Sequence, residues 1–210
     1  MKLRYSATSP FVRKVLVCAI ELGLDKKIER QPTNPNDPAS DLGKQNPLVK
    51  VPSLQLDDGS ALYDSPVICE YLDSLAGNKF HPAGGQVRWT ALRRQALADG
   101  IMDAGVLVRG EVLRPAGEQS PGFIAKQKAK MTQSLDSLEA EADKFGDGLD
   151  IGLIAVASAL GYVDFRFAAD NWRTKRPKLA RWYDRFAQRP SMQATAPPVV
   201  LGRTQSCNTR

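Results

Sequence analysis

The chain has 210 residues, enough for one large domain or two small ones, and 42% of them are hydrophobic. That share can build a real core and argues against a disordered protein. The formal net charge is +6, but the basic residues are scattered except at 173–176. A scattered excess suits small anionic ligands at least as well as nucleic acid, so we expect no nucleic-acid partner.

Cysteine and histidine usage excludes several kinds of site. Cys18, Cys69 and Cys207 lie far apart, and His81 is the single histidine. We therefore expect no metal site and no histidine-based catalytic triad. Cys18 and Cys69 fall in apolar helical runs, which predicts buried thiols and fits a reducing compartment. With no secretory signal, and no apolar run that we judge long enough to span a bilayer, we expect a cytoplasmic protein without a membrane partner.

The first third of the chain alternates predicted strands and helices. Residues 2–5 predict a strand, 11–22 a helix that Gly23 closes, and 28–31 a second strand. Residues 32–45 are rich in Pro, Asn and Asp and predict a loop with room for one short helical turn. This order predicts a mixed α/β sheet once the following hairpin is added.

Residues 51–56 and 60–62 predict the hairpin, because the Asp57-Asp58-Gly59 turn between them accepts positive φ. A helix is predicted at 66–76, since proline is common in the first turn and Asp or Ser commonly precedes it. Apolar residues at three-four spacing give that helix one expected buried face: Val67, Ile68, Tyr71, Leu72 and Leu75.

Residues 77–86, GNKFHPAGGQ, predict a linker, and the pattern after it is helical throughout. Helices are predicted at 87–113, 122–145, 151–168 and 177–188, with one further turn at 191–194 and a loose tail from 197. The segment 151–168 is the most apolar and should be the core helix. Gly100, Gly105 and Gly110 interrupt the first of these helices at about 1 kcal/mol each, so we expect another helix to pack closely there.

Two predicted helix starts can bind an anion as well as cap a helix. Free N–H groups and the helix dipole at Ser9-Pro10 would lower the pKa of a thiol placed there, and the Ser9 hydroxyl could donate to a thiolate. At Asp64-Ser65 the helix end and hydroxyl could hold a carboxylate, and Asp64 could accept from an ammonium group. In both places the simpler interpretation is an ordinary helix cap. A cis Val51-Pro52 bond would leave the Val51 backbone free to pair with a peptide-like ligand.

Three segments carry a resemblance to a known family: TSPFVRKV at 8–15, NPLVKVPSL at 46–54 and LYDSPVICEYL at 62–72. Together they resemble the amino-terminal domain of cytosolic glutathione S-transferases, above all bacterial members whose first helix opens with Ser-Pro-Phe. The resemblance extends over the whole chain, because the helical second half lies in the expected place. It implies an α/β thioredoxin-like domain at 1–76, a linker at 77–86 and an all-α helical domain at 87–210 that contributes the electrophile site.

The resemblance also implies how glutathione, as co-substrate, would bind. Val51 would precede a cis proline, and its backbone would pair with the cysteinyl part. Asp64 and Ser65 would hold the γ-glutamyl end, and Lys50 would lie near the glycyl carboxylate. No metal is implied.

Catalysis, by the same resemblance, would depend on Ser9 hydrogen-bonding and activating the glutathione sulfur, with Thr8 and Tyr5 as the alternatives. Serine in place of cysteine before the proline favours thiolate transfer or peroxide reduction over a mixed disulfide with the protein. The second substrate would be a small apolar electrophile, with an anionic group near Arg109 left open. Residues expected to face it are Val106, Leu107, Arg109 and Leu113 on the long helix, with Tyr162 and Phe165 as further candidates.

The resemblance implies a homodimeric enzyme, and it leaves one rival function open. A non-catalytic relative could act as a binding or scaffold protein, for which the basic stretch at 173–176 would be suitable. The chain also departs from the family at the core helix. There Asp150 can cap the helix start, but Leu153 stands where a reciprocal capping residue is usual.

Overall fold

The computed structural model describes residues 1–198, so the predicted tail beyond Pro198, with Cys207, lies outside the described residues. The amino-terminal part contains each element that the sequence predicted, with ends displaced by at most two residues. The elements are β1 Lys2–Tyr5, α1 Pro10–Glu21, β2 Glu29–Pro32, α2 Leu42–Gln45, β3 Ser53–Gln55, β4 Ala61–Leu62 and α3 Ser65–Ser74.

These strands form one mixed sheet in the order β2-β1-β3-β4. β1 runs parallel to β2 and antiparallel to β3, and β3 and β4 form the predicted hairpin. Arg4 pairs with Ser53, and Leu54 pairs with Leu62. Because β3 runs opposite to both neighbours, its amino end lies at the same edge as the carboxyl ends of β1 and β4.

Two of the predicted chain reversals depend on glycine. Gly23 follows α1 with a φ of 70°, and Gly59 completes the hairpin turn with a φ of 89°. Side chains rarely adopt these positive values, whereas glycine does so without steric cost. The helix end and the turn are therefore as the sequence predicted.

The buried face of α3 differs in part from the predicted one. Ile68, Cys69 and Leu72 are fully buried, as is Cys18 on the neighbouring α1. Val67 is 46% exposed and Leu75 is 51% exposed, so their prediction as core residues was wrong. α3 packs mainly on α1, which covers only a narrow stripe of it and leaves the adjacent apolar stripe at the surface.

The carboxyl-terminal part is helical in the described residues, as predicted. Its helices are α4 Gly85–Val112, α5 Pro121–Glu141, α6 Ile151–Phe167, α7 Pro177–Phe186 and α8 Pro190–Ala194. Asp150 caps α6 by accepting from the Leu153 N–H at 2.8 Å. The predicted inward faces are buried: Met131, Leu135 and Leu138 on α5, and Leu179, Trp182, Tyr183 and Phe186 on α7. The chain thus combines an α/β thioredoxin-like domain with an all-α helical domain.

One expectation about apolar length was wrong. Residues Ile151–Asp170 are long and apolar enough to cross a membrane, judged on length and composition alone. In the fold, α6 lies at the centre of the helical part and packs against α4, α1 and α7. Its apolarity is therefore explained by burial within the protein.

A buried carboxylate fastens the linker to α3. Asp73 is fully buried, and its carboxylate accepts from the N–H groups of Lys79, Phe80 and His81 at 2.7–3.0 Å. It also lies 2.8 Å from His81 Nδ1. Burial alone would raise the pKa of Asp73, but these hydrogen bonds outweigh it and hold the pKa below its usual value. His81 thus has a structural role that the sequence did not reveal.

The glycines of α4 have different surroundings. A Cβ built on Gly105 would lie 2.9 Å from Tyr162 Cε1 and 3.1 Å from Phe167 Cε2, so α6 packs closely there, as predicted. A Cβ on Gly100 or Gly110 would have no atom within 4 Å. The prediction of close packing was therefore right for one glycine of the three.

This difference gives the substitutions Gly100→Ala and Gly105→Ala opposite expected effects. Gly100→Ala should raise the free energy of unfolding by roughly 0.5–1 kcal/mol, because alanine favours the helix and the site is open. Gly105→Ala should lower it by about 1–3 kcal/mol, because the new methyl group displaces the Tyr162 ring. Urea unfolding of both variants beside the parent measures the two effects. Equal shifts in the same direction would contradict the packing described here.

Candidate functional site

The register of the sheet brings the predicted site residues to one edge. Ser9 follows β1, Val51 precedes β3, and Asp64 and Ser65 follow β4. The carboxyl ends of β1 and β4 flank the amino end of β3, so the three segments are neighbours. The N-termini of α1 and α3 both begin at this edge, where free N–H groups and helix dipoles favour an anionic ligand.

Ser9 caps α1 and also borders a cavity. Its Oγ accepts from the Val12 N–H at 3.3 Å, which leaves its own O–H able to donate elsewhere. The cavity is open to solvent, and its lining residues are Ala7, Thr8, Ser9, Pro10, Arg13, Gly161, Tyr162, Phe165 and Pro197. Thr8 is therefore beside Ser9, with Oγ1 3.4 Å from Ser6 Oγ. Tyr5 is not among the lining residues that the structure describes.

The loop before β3 presents an unpaired piece of backbone. The Val51-Pro52 bond is cis, as the resemblance implied. Within residues 1–198 the Val51 N–H and C=O make no hydrogen bond. Buried Asn46 supports the loop, since its Nδ2 donates to the Lys50 carbonyl at 2.9 Å and its Oδ1 accepts from the Leu48 N–H at 3.0 Å. Asn46 was part of the sequence motif, but its supporting role becomes visible only in the fold.

The start of α3 leaves polar groups unused. Ser65 is 1% exposed, and its buried Oγ has no hydrogen-bond partner in the described part of the chain. Asp64 is exposed, and its side chain does not cap the helix, so the capping interpretation does not hold for Asp64. The peptide bond between Tyr63 and Asp64 is cis. An unpaired buried hydroxyl is unusual in a folded protein and is consistent with a ligand partner.

A group of charges on α1 and α4 lies next to Asp64. Lys14 is fully buried, and its Nζ lies 2.6 Å from Asp99 Oδ1. Burial raises the pKa of Asp99, Lys14 opposes the shift, and the negative charges of Asp64 and Asp103 add to it. Loss of water contact also raises the pKa of Asp103, against the opposing charge of Lys50. This acidic patch was not predicted, because α4 shows no polar periodicity that would single out Asp99 or Asp103.

The helical wall of the cavity comes from α6, with a contribution from α1. Tyr162 and Phe165 line it, as expected. Val106, Leu107 and Leu113 are 42–66% exposed, and neither they nor Arg109 belong to its described lining.

Arg13 lies against this wall. Its Nη2 donates to the Met192 carbonyl at 3.0 Å, which ties α1 to α8. A Cβ on Gly161 would lie 2.0 Å from Arg13 Nη1, so the arginine passes directly over that glycine.

The basic stretch at 173–176 is not a free surface patch. Arg173 pairs with Asp164 and Asp184 at 2.6 Å each and stacks on Trp172 at 4.9 Å. Arg176 is 5% exposed and pairs with Asp136 at 2.6 Å. The idea that this stretch serves as a docking surface therefore loses its support. Among residues 1–198 no group of three or more His, Cys, Asp or Glu side chains is arranged to hold a metal ion.

Comparison with known proteins gives consistent matches over both parts of the chain. Family models described as "Glutathione S-transferase, N-terminal domain" and "Glutathione S-transferase, C-terminal domain" match residues 8–75 and 118–185. The chain is 36% identical over 203 residues to the uncharacterized GST-like protein YibF of Escherichia coli K12, covering 94% of this chain and 99% of that protein.

Solved structures with bound ligands are also similar. A glutathione transferase family member from Pseudomonas fluorescens Pf-5 with bound glutathione is 45% identical with a TM-score of 0.91, covering 94% of this chain and 99% of that one. The same family member with bound S-(propanoic acid)-glutathione is 44% identical with a TM-score of 0.87, covering 95% and 100%. A glutathione S-transferase from Methylobacillus flagellatus with glutathione bound is 37% identical with a TM-score of 0.88, covering 94% and 99%.

The Lys14–Asp99 pair predicts a pH-dependent loss of stability in Lys14→Met. Removing the cation leaves a buried carboxylate unpaired, which should lower the free energy of unfolding by about 3 kcal/mol near neutral pH. The pKa of Asp99 is already raised, so its contribution to stability is greatest below its ordinary pKa and falls as pH rises through the raised value. Without Lys14 the pKa rises further, so the deficit should shrink as pH falls towards about 4.

Urea unfolding of the parent and Lys14→Met between pH 4.5 and 8 measures this deficit. The matched control is the double variant Lys14→Met, Asp99→Asn, which has no carboxylate at 99 and should show a flatter pH dependence. A deficit of the same size at both ends of the pH range would contradict the assignment.

Proposed function

Because the chain belongs to the glutathione S-transferase family, we propose that it is a glutathione transferase that stabilises the glutathione thiolate and transfers it to a small electrophile or uses it to reduce a peroxide. The observation that carries the proposal is the set of unused polar groups at one sheet edge. The Val51 backbone and the buried Ser65 hydroxyl lack partners in the described residues, and both lie at the same edge as Ser9. A peptide-like anionic ligand would satisfy these groups together.

Glutathione is proposed to lie along this edge with its γ-glutamyl end at α3. The Ser65 hydroxyl and the free N–H groups of α3 bind the γ-glutamyl carboxylate, and Asp64 accepts from the ammonium group. Asp103 adds negative charge near that ammonium, whereas the charge of Asp99 is paired with Lys14. The Val51 N–H and C=O pair with the cysteinyl residue, as in the addition of a strand.

Lys50 is left for the glycyl carboxylate at the other end of the tripeptide. Its side chain is exposed, and the Asn46 amide fixes the backbone from which it projects. Neighbours solved with bound glutathione support the choice of ligand.

Ser9 is the proposed catalytic residue. Its Oγ already accepts from the Val12 N–H, so its O–H is free to donate to the ligand sulfur. A donor and a helix N-terminus both favour the anionic sulfur, which lowers a thiol pKa from its ordinary value of about 8.5. Positioning and electrostatic stabilisation of the nucleophile then accelerate the transfer. Thr8 also lines the cavity and is the nearest alternative, whereas Tyr5 has no such support.

The second substrate is proposed to be small, with an apolar body. The cavity beside Ser9 is proposed to receive it. Proline and aromatic side chains form much of its lining. The ligand S-(propanoic acid)-glutathione in one neighbour carries a small acidic group on its sulfur, so an acidic electrophile is compatible with this fold.

The division into domains, the subfamily and the assembly of the protein are also proposed. We place the boundaries at 1–76, 77–86 and 87–210, and we group the chain with bacterial members whose first helix opens with Ser-Pro-Phe. We propose a cytoplasmic homodimer in which the hairpin and α3 of one subunit meet α4 of the other. Apolar side chains on both helices support it, because Val67 and Leu75 on α3 and Val87 and Trp89 on α4 are 46–66% exposed.

A non-catalytic scaffold remains the rival function, but no described feature favours it. The basic stretch that would suit it is engaged in ion pairs with residues of the same chain. A scaffold also has no need of the unpaired groups at Val51 and Ser65. Binding of glutathione separates the two functions.

Ser9→Ala should lower kcat with a common aromatic halide by at least about tenfold, because the donor to the thiolate is lost. Glutathione affinity should change little, since the other contacts remain. Thr8→Val is the matched control and should retain most of the activity. Activity retained in Ser9→Ala but lost in Thr8→Val would move the catalytic role to Thr8.

Ser65→Ala should weaken glutathione binding by about tenfold, the equivalent of one hydrogen bond to a charged group. Isothermal titration measures it, with retention on glutathione-agarose as a rapid check. The control is Ser74→Ala, which removes an exposed hydroxyl that bonds only to the Tyr71 carbonyl of the same helix. Failure of the folded parent protein to bind glutathione would favour the scaffold.

A further inference from the structure

Two arginines near Tyr162, a residue that lines the cavity, lack an acidic partner in the described part of the chain. Arg109 on α4 and Arg166 on α6 are both partly buried, and neither makes an ion pair within residues 1–198. Arg166 Nε is fully buried and has no hydrogen-bond partner there. A guanidinium removed from water without a counter-charge is costly, so the arrangement is one that an anion would stabilise.

Both cations act on the side chain of Tyr162, which lines the cavity. Burial raises the pKa of Tyr162, and the positive charges of Arg166 and Arg109 oppose that shift. Burial lowers the pKa of Arg166, and repulsion from Arg109 adds to the lowering while Tyr162 offsets part of it. Two like charges therefore lie within electrostatic reach of Tyr162, and neither is paired with a carboxylate of the described residues.

The guanidinium group of Arg166 stacks on an aromatic ring, and its Nε is enclosed by protein. Its guanidinium carbon lies 4.0 Å from the ring centroid of Phe165, another lining residue. Stacking occupies a face of the guanidinium group, whereas a carboxylate binds at its edge through two parallel N–H donors. Arg166 is thus held against an aromatic ring and beside Tyr162, and no carboxylate of the described residues pairs with its guanidinium group.

Another arginine of the same chain shows the contrast. Arg94 also stacks on an aromatic ring, with its guanidinium carbon 4.5 Å from the centroid of Phe145. Its Nε lies 3.2 Å from a Glu141 oxygen, so its charge is neutralised by the protein. Arg166 stacks on an aromatic ring in the same way, but no carboxylate of the described residues pairs with it.

We propose that Arg109 and Arg166 form a carboxylate-binding subsite at the cavity wall, and that the electrophile receiving the glutathione sulfur is a small carboxylate. The inference rests on the proposed function, since it concerns the second substrate of that reaction. The electrophilic carbon faces Ser9, and the carboxylate lies towards Tyr162 and the two arginines.

A haloacetate is a probe of this class with simple chemistry. The thiolate attacks the methylene carbon of iodoacetate, the C–S bond forms as the C–I bond breaks, and iodide leaves with the bonding electrons. The thiol proton is released to solvent, and no oxidant or reductant is required. Iodoacetamide has the same reacting carbon and leaving group but no charge, so the pair isolates the effect of the carboxylate.

The experiment measures kcat/KM for both probes with glutathione, each divided by its uncatalysed rate constant. The parent should favour iodoacetate by at least about tenfold, the value of one charge-assisted contact. Arg166→Gln should lower this ratio about tenfold for iodoacetate and change it less than about twofold for iodoacetamide. Arg109→Gln should have a smaller effect of the same kind. Arg181→Gln, which removes an exposed arginine on α7, should leave both unchanged.

Binding of the two products gives a readout independent of turnover. Titration should show that the parent binds S-carboxymethylglutathione more tightly than S-carbamidomethylglutathione. Arg166→Gln should bind the two products with equal affinity. If Arg166→Gln does not fold, Arg109→Gln carries the same comparison. Equal treatment of both probes and both products by a glutathione-binding parent would overturn the subsite and leave the transferase proposal intact. Binding of neither product nor glutathione would overturn both.

Discussion

The antiparallel pairing of β1 with β3 is the constraint on which the candidate site depends. It sets the carboxyl ends of β1 and β4 beside the amino end of β3, so two helix starts and one unpaired loop converge. A parallel β3 would carry Val51 to the opposite edge of the sheet, away from Ser9. Ser9, Val51 and Ser65 can thus form one site only because the strands pair in this direction.

The helical half gives this edge two walls of opposite charge. Asp99 and Asp103 on α4 lie near Asp64, at the start of α3. Arg109, further along the same helix, lies within electrostatic reach of Tyr162 and Arg166 on α6. A single long helix therefore supplies negative charge to one end of the cleft and positive charge to the other, which would orient a ligand that carries charges of both signs.

The sequence predicted the strands, helices and turns well, because each follows from local periodicity, proline placement or glycine. It did not predict contacts between segments far apart in the chain. The burial of Lys14 against Asp99 and the bonds from Asp73 to the linker depend on how helices meet, which no local pattern encodes. The prediction that Val67 and Leu75 are buried failed for the same reason, since periodicity shows an apolar stripe but not how much of it other elements cover.

The passage of Arg13 over Gly161 has a consequence for how related sequences can vary. A side chain at 161 would overlap Arg13 Nη1 and crowd the Tyr183 hydroxyl at 2.8 Å. A larger residue at 161 is therefore compatible with the fold only when a shorter one stands at 13, which would also give up the link to the Met192 carbonyl. Residues 13 and 161 are far apart in the sequence, but we expect them to covary among related proteins.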